Sequence, residues 1–284
     1  MKFAVNALIW TTEFDHRSFS LLPLLRAHGF DGFEIPVFEP AKVQAGSIRR
    51  ALLENDLECT VCAILPKGVN PTSEDPEIRR RTRQHLIDTI KVAADLGSSL
   101  VAGPIYSPVG YLPGRRRTSE EWQWAVECFR SLGETLEANR MTLALEPLNR
   151  FETYFLNTSA DASALCDAIN HPSVGVLLDT FHTNIEEKDV AAAFRATGKR
   201  LRHMHACEND RGIPGTGHVD FSSIAAALRE IRYDGWITIE SFGYSHKELA
   251  AAAAIWRDLA PTPEAVAFEG LPFLKKVMGN YAVS

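Results

Sequence analysis

The feature that most constrains this chain is a rhythm. Short β-branched or apolar runs alternate with longer amphipathic stretches, and the pair recurs eight times. The runs are Phe3–Ile9, Gly32–Ile35, Cys59–Ile64, Leu100–Gly103, Thr142–Glu146, Val174–Asp179, Leu201–His205 and Trp236–Glu240. The stretches are Phe19–Ala27, Ser47–Asn55, Glu77–Leu96, Glu120–Asn139, Ala160–Ile169, Val190–Thr197, Ser222–Ile231 and Lys247–Asp258. Apolar residues in the longer ones fall at helix spacing, as at Leu86, Ile87, Ile90, Val92 and Ala93. Gly29, Gly97 and Gly198 stand where helices should end, and Asp220-Phe221-Ser222 is a cap region. Eight strand–helix units in a row predict an α/β fold, a single (β/α)₈ barrel. A chain of 284 residues suits one such catalytic domain, with an additional C-terminal helix over about 264–278. A doubly wound sheet is the rival. The Gly-x-Gly-x-x-Gly expected after its first strand is replaced here by Trp10-Thr11-Thr12-Glu13.

Composition narrows the class. The chain is 45% hydrophobic, which supplies a core and excludes disorder. Its net charge of −6 speaks against a broad grip on nucleic acid, which needs a basic face. The longest apolar run, Leu249–Trp256, falls far short of the roughly 20 residues of a membrane span. The N-terminus lacks the cleavage signature of a secretory leader and reads as a first buried strand. Five scattered cysteines form no disulfide framework, so a reducing cytoplasm is expected.

The position of the polar residues carries the functional information. Barrel chemistry sits at the C-terminal ends of the strands. Four successive strands end in a potential metal ligand: Glu146, Asp179, His205 and Glu240. Each alone reads as a cap or a core histidine; four neighbours after four apolar runs are expected to converge. Three unpaired carboxylates would raise one another's pKa, and a divalent cation resolves the conflict. Oxygen-rich ligation with one imidazole suits Mn²⁺, with Mg²⁺ or Co²⁺ as alternatives, rather than a structural zinc.

Other polar groups fall in loops at the same mouth. Glu152 lies six residues beyond Glu146, His182 three beyond Asp179, and Arg211 six beyond His205. They suit the binding of hydroxyl groups; a surface salt bridge explains Glu152 or Arg211 about as well. Glu34 closes the second strand and orients a metal ligand or a substrate group, or pairs with a lysine. His203 shares a strand face with His205, one to ligate and the other to pack or donate behind it. Cys59 and Cys62 have a metal-like spacing, but in a strand they face opposite sides. Arg79–Arg81 reads as a solvated helix face. Arg115–Arg117 reads as solvated loop charge, with phosphate binding as the alternative.

These motifs resemble the D-tagatose 3-epimerase family of ketose 3-epimerases, within the xylose-isomerase-like barrels. The likeness rests on Ala144–Glu152, Leu178–Glu187, His203-Met204-His205, Pro214–Gly217, Tyr233–Glu240 and Ala254–Asp258. The resemblance implies that Glu146, Asp179, His205 and Glu240 hold a metal, usually manganese. It implies that Glu146 and Glu240 are also the acid/base pair, and that Glu152, His182 and Arg211 bind the sugar near its carbonyl. It further implies a small-molecule ketose substrate, no nucleic acid or membrane partner, and a homodimer or homotetramer. Trp10 stands where the family brings an aromatic residue to the sugar, whereas Asn6 and Ala7 replace bulkier side chains. The loop Gly103–Tyr111 lacks a tryptophan that some members carry, which leaves the preferred ketose open. The expected reaction is inversion of C3 of a free ketose through an enediolate, by two carboxylates on opposite faces. The alternatives are a related isomerase, dehydratase or ketose-phosphate epimerase on the same scaffold, or a non-catalytic sugar-binding protein.

Overall fold

The computed structural model describes residues 1–243 and 247–279. Eight parallel strands close into one barrel in chain order. They are β1 (Lys2–Asn6), β2 (Gly32–Pro36), β3 (Glu58–Cys62), β4 (Leu100–Gly103), β5 (Thr142–Leu145), β6 (Val174–Asp179), β7 (Leu201–Ala206) and β8 (Trp236–Ile239). The helices are α1 (Leu21–His28), α2 (Ala45–Glu54), α3 (Pro76–Leu96), α4 (Ser119–Arg130), α5 (Gly133–Asn139) and α6 (Ser159–Ile169). After them come α7 (Thr180–Glu186), α8 (Val190–Thr197), α9 (Phe221–Glu230), α10 (Lys247–Ala252) and α11 (Pro263–Gly279).

Strands with helices on one side and a filled barrel on the other are buried on both faces, so they read as continuous apolar runs. Their period of two then divides each strand between two cores. On β6, Val174, Val176 and Leu178 face the helices, while Leu177 faces the barrel axis beside Leu100, Ala102 and Ala144. The Trp236 indole closes this inner layer from below. Gly32 makes room for it: a Cβ there would lie 2.7 Å from the indole ring. Above the apolar layer the inward positions turn polar, with Asn6, Glu34, Thr60 and His203 all buried.

The sequence expectations differ from the structure at four places. The first strand stops at Asn6 because the Asn6 Oδ1 accepts the Leu8 N–H (2.9 Å) and turns Ala7–Ile9 into a 3₁₀ turn. The stretch 120–139 is two helices, broken where the Ser131 hydroxyl bonds the Cys128 carbonyl (2.6 Å). The helix expected over Lys247–Asp258 ends at Ala252, and Ala254 follows at φ +54°. The short helix α7 is additional, started by the Asp179 carboxylate, which accepts the Phe181 N–H (2.6 Å). The C-terminal helix α11 packs against α9 and β8. Gly32→Val should destabilise the fold by about 1–3 kcal/mol by overfilling the barrel floor. Urea unfolding measures this, and unchanged stability would remove Gly32 from the packing argument.

Candidate active site

Glu146 and Glu240 sit one residue past β5 and β8, yet their main-chain N–H groups still bond inward-strand carbonyls, Gly103 (3.2 Å) and Ala206 (3.3 Å). Asp179 ends β6 and His205 lies on β7. The structure therefore brings all four expected residues to one mouth. One ligand atom from each lies within 4.8 Å of the others, and all four are buried. His205 Nδ1 is 3.3 Å from Glu240 Oε1 and 3.8 Å from Glu146 Oε1.

This crowding is electrostatically costly. Burial, then Glu240, pushes the Glu146 carboxyl well above the usual range. The same two causes push Asp179 up to about 6. Burial opposes the charge on Glu240 as well, but His205 and Arg211 outweigh it and hold that carboxyl low. Burial likewise works against a charged His205, and Glu240 with Glu34 overrides it, so its pKa is raised. Glu146 Oε1, Asp179 Oδ2 and His205 Nδ1 are buried without a hydrogen-bond partner. Buried polar atoms are rarely left so. Hard oxygens with one imidazole nitrogen fit a divalent cation, whose charge would reverse the upward shifts of the carboxyls.

A second set of groups lines the side of the mouth. Asn149 donates from its main chain to His182 Nδ1 (3.0 Å) and from its amide to Glu152 Oε1 (2.9 Å). A main-chain N–H can only donate, so Nδ1 is the acceptor and Nε2 carries the hydrogen. Burial, then Arg211, lowers the His182 pKa well below its usual value and keeps the ring neutral. Arg211 Nη2 stands 3.3 Å from His182 Nε2 and donates to Glu152 Oε1 (3.2 Å). Two donors thus face one space that an acceptor oxygen of a ligand would fill. The Arg211 guanidinium lies over Phe181 (4.1 Å) and Phe242 (4.7 Å); its Nε and Nη1 are buried without a hydrogen-bond partner, with Nη1 3.7 Å from Glu240 Oε2. Glu208 holds the loop that carries it, accepting the N–H groups of Gly215 (2.8 Å) and Val219 (3.1 Å).

The cleft, about 660 Å³ including its open side, is lined at this polar end by Glu146, Glu152, His182, His205, Arg211 and Glu240. Much of the remaining wall is apolar, from Leu8, Phe38, Ile64, Val109, Phe242 and Leu249, with Cys62 also among the lining residues. Trp10 takes no part in it, contrary to the expectation. Its indole donates to Glu264 of α11 (3.0 Å) and packs near Phe33, because the 3₁₀ turn presents Leu8 instead. Glu34 pairs with His203 (2.7 Å) and His205 (2.8 Å) rather than with a lysine. Two arginines of the triplet are spent on structure. Arg115 bonds both oxygens of Glu121 (2.9 and 3.0 Å), and Arg117 bonds Asp161 (2.7 Å). Arg79 lies over Trp124 (4.5 Å), and Arg80 pairs with Glu77 (2.9 Å). Sequence reasoning missed Asn149, Phe181, Phe242 and Leu8. Asn149 stood inside the quoted Glu146–Glu152 stretch, but an asparagine in a loop signals only a turn.

Fold and site together define a parallel barrel enzyme with an acidic, imidazole-bearing centre at its C-terminal mouth. The chain belongs to the xylose isomerase-like TIM barrel family, which it matches over residues 22–277. It is 38% identical over 276 residues to a probable ketose 3-epimerase of Synechocystis sp., covering 97% of this chain and 96% of that one. To an L-ribulose 3-epimerase of Methylomonas sp. it is 31% identical over 280 residues, 97% of each chain. The crystal structure of a Methylomonas D-allulose 3-epimerase in complex with D-allulose superposes with a TM-score of 0.92. Identity to it is 31%, over 98% of this chain and 97% of that one. Within the family the chain groups with the ketose 3-epimerases and is a carbohydrate epimerase of the isomerase class.

Adding Mn²⁺ to chelator-treated protein should raise its thermal midpoint, by about 2.7 kcal/mol of stabilisation at a hundredfold excess over Kd. Asp179→Asn should lose most of that shift. A midpoint indifferent to Mn²⁺ would speak against a cation at the cluster.

Proposed function

We propose that this protein inverts C3 of a free ketose by proton transfer between two carboxylates. The observation that carries the reading is the bracketing of one cleft by Glu146, after β5, and Glu240, after β8, with Asp179 and His205 on the strands between. The names of the relatives, each a 3-epimerase of a ketose, support it. A divalent cation held by Glu146, Asp179, His205 and Glu240, Mn²⁺ in this reading with Mg²⁺ or Co²⁺ on the same donors, supplies Lewis acidity beside the carbonyl.

The chain's own groups do the rest. Loss of the C3 proton puts negative charge on the carbonyl oxygen. Arg211, through Nε and Nη1, neither of which has a hydrogen-bond partner, and His182, through Nε2–H, are the donors that meet it. Glu152, already bonded by Asn149 and Arg211, accepts from a neighbouring hydroxyl and keeps those donors aligned. One of Glu146 and Glu240 removes the proton from one face of C3, and the other delivers a proton to the opposite face. In the reverse direction the roles exchange. The apolar remainder of the cleft limits water while the sugar is bound, and between turnovers the carboxyl protons exchange with solvent, which resets the pair.

The same wall favours an unphosphorylated sugar. Among the described residues that line the cleft Arg211 is the one arginine or lysine, and it stands at the catalytic end. Arg115 and Arg117 are committed to Glu121 and Asp161. This reading takes the whole chain as one catalytic domain. It keeps the cytoplasmic homodimer or homotetramer that the resemblance implies, and the free state of all five cysteines suits that compartment.

Glu146→Gln and Glu240→Gln should each lower turnover by roughly 10²–10⁴-fold with the fold intact, as expected for loss of a positioned acid or base. Full activity in either variant contradicts the scheme. In D₂O the label should enter C3 of the recovered ketose; label at C1 or C2 would indicate an aldose–ketose isomerase. A free ketose should turn over faster than its phosphate, and the opposite order would reverse the reading of the cleft wall.

A further inference from the structure

Beneath the four-residue cluster lies a buried polar layer that the proposed reaction does not touch. Glu34 stands at its centre, 0% exposed, and among the described residues it is paired with two histidines, not with a lysine or arginine. Its carboxylate accepts four hydrogen bonds. Oε1 takes one from His205 Nε2 (2.8 Å) and one from Asn6 Nδ2 (2.9 Å). Oε2 takes one from His203 Nε2 (2.7 Å) and one from the Thr60 hydroxyl (2.9 Å). The donors come from β1, β3 and β7, so the layer spans the barrel. An apolar residue would fill this space at lower cost than a buried carboxylate, so packing alone does not explain it.

The geometry ties Glu34 to the cluster above by two routes. An ionised carboxylate only accepts, so His205 Nε2 must carry a hydrogen, and it is Nδ1 that a neutral ring leaves bare for a cation. That Nδ1 is the atom left without a partner, facing Glu240 (3.3 Å) and Glu146 (3.8 Å). The second route runs through Asn6. Its Oδ1 is fixed by the Leu8 N–H (2.9 Å), so its Nδ2 faces the acidic side. From there Nδ2 donates to Glu34 Oε1 and also to Glu240 Oε1 (3.1 Å). One carboxylate therefore orients two of the four candidate ligands.

We propose that Glu34 is a positioning residue of the cation site: it locks His205 in the tautomer that presents Nδ1 and, through Asn6, holds one oxygen of Glu240. The inference rests on the reading of Glu146, Asp179, His205 and Glu240 as metal ligands, and it deepens that reading by naming what presets them. Carboxylates behind a ligating histidine commonly set its tautomer, and their loss typically costs about 10–100-fold in metal affinity. Glu34, His203 and His205 also lie close enough to form a cation site of their own. Both Nε2 atoms, however, are already given to Glu34, so a cation there would have to break both bonds.

Titration of the chelator-treated full chain with Mn²⁺, followed by calorimetry, tests the proposal. The wild type should bind one Mn²⁺ per chain, and Asp179→Asn should lose it. Glu34→Gln should bind about 10–100-fold more weakly. Thr60→Val, which removes a bond from the far oxygen only, should lose stability while keeping its Mn²⁺ affinity. Equal weakening in Thr60→Val would make the layer merely structural and overturn the proposal. Unchanged affinity in Glu34→Gln, with Asp179→Asn defective, overturns the role of Glu34 and leaves the metal reading standing. No Mn²⁺ bound by the wild type, or binding that survives Asp179→Asn, overturns the metal reading and this inference with it. Two Mn²⁺ per chain would assign Glu34 to a second site and contradict the proposal. Should Glu34→Gln not fold, ¹⁵N-histidine spectra of the Mg²⁺-loaded wild type still decide: hydrogen on His205 Nε2 is expected, and hydrogen on Nδ1 overturns it.

Discussion

Three carboxylates and an imidazole buried within 4.8 Å of one another repel and desolvate each other, and much of this barrel is organised around that cost. The rest of the mouth arranges charges and donors against it. Arg211 is brought from a loop pinned by Glu208, with Arg211 itself in a left-handed conformation (φ +65°) and its guanidinium laid on two phenylalanine rings. His182 is kept neutral and aimed by Asn149. Glu34 and Asn6 grip the cluster from below. A divalent cation on these donors would turn this cost into binding energy.

The layering of the barrel follows from the same constraint. Its floor is apolar, from Leu100, Ala102, Ala144, Leu177 and Trp236, and it supplies the packing. The polar layer of Asn6, Glu34, Thr60 and His203 comes next, and every oxygen of Glu34 is saturated there. At the top, buried polar atoms stay open on Glu146, Asp179, His205 and Arg211, and in the layer beneath them His203 Nδ1 is open as well. Glu34 is thus fully satisfied inside the barrel, while the groups at the mouth keep atoms open for a ligand. The cleft wall beyond them is apolar, which gives shape and dryness but little purchase on charge.

Much of this was legible in the chain. Fully buried parallel strands leave uninterrupted apolar runs, so all eight were found, and a charged residue closing such a run is conspicuous at Glu146, Asp179, His205 and Glu240. Residues whose role depends on a turn were not legible. Trp10 belongs to α11 and Leu8 to the cleft only because Asn6 caps the turn between them. Asn149, Phe181 and Phe242 act on His182 and Arg211, groups distant in sequence, and nothing local distinguishes them. The break at Ser131 and the end of α10 at Ala252 lie in stretches whose apolar spacing continues past them. Arg115 and Arg117 looked available for an anion because their partners Glu121 and Asp161 lie on helices that follow.

The claim on which the chemistry stands is that the four strand-end residues share one cation. Anomalous diffraction from crystals grown with Mn²⁺ tests it directly. A single strong peak about 2.0–2.3 Å from oxygens of Glu146, Asp179 and Glu240 and from Nδ1 of His205 is expected. A peak bound by other residues, or ordered crystals in saturating Mn²⁺ with no peak among these four, contradicts it.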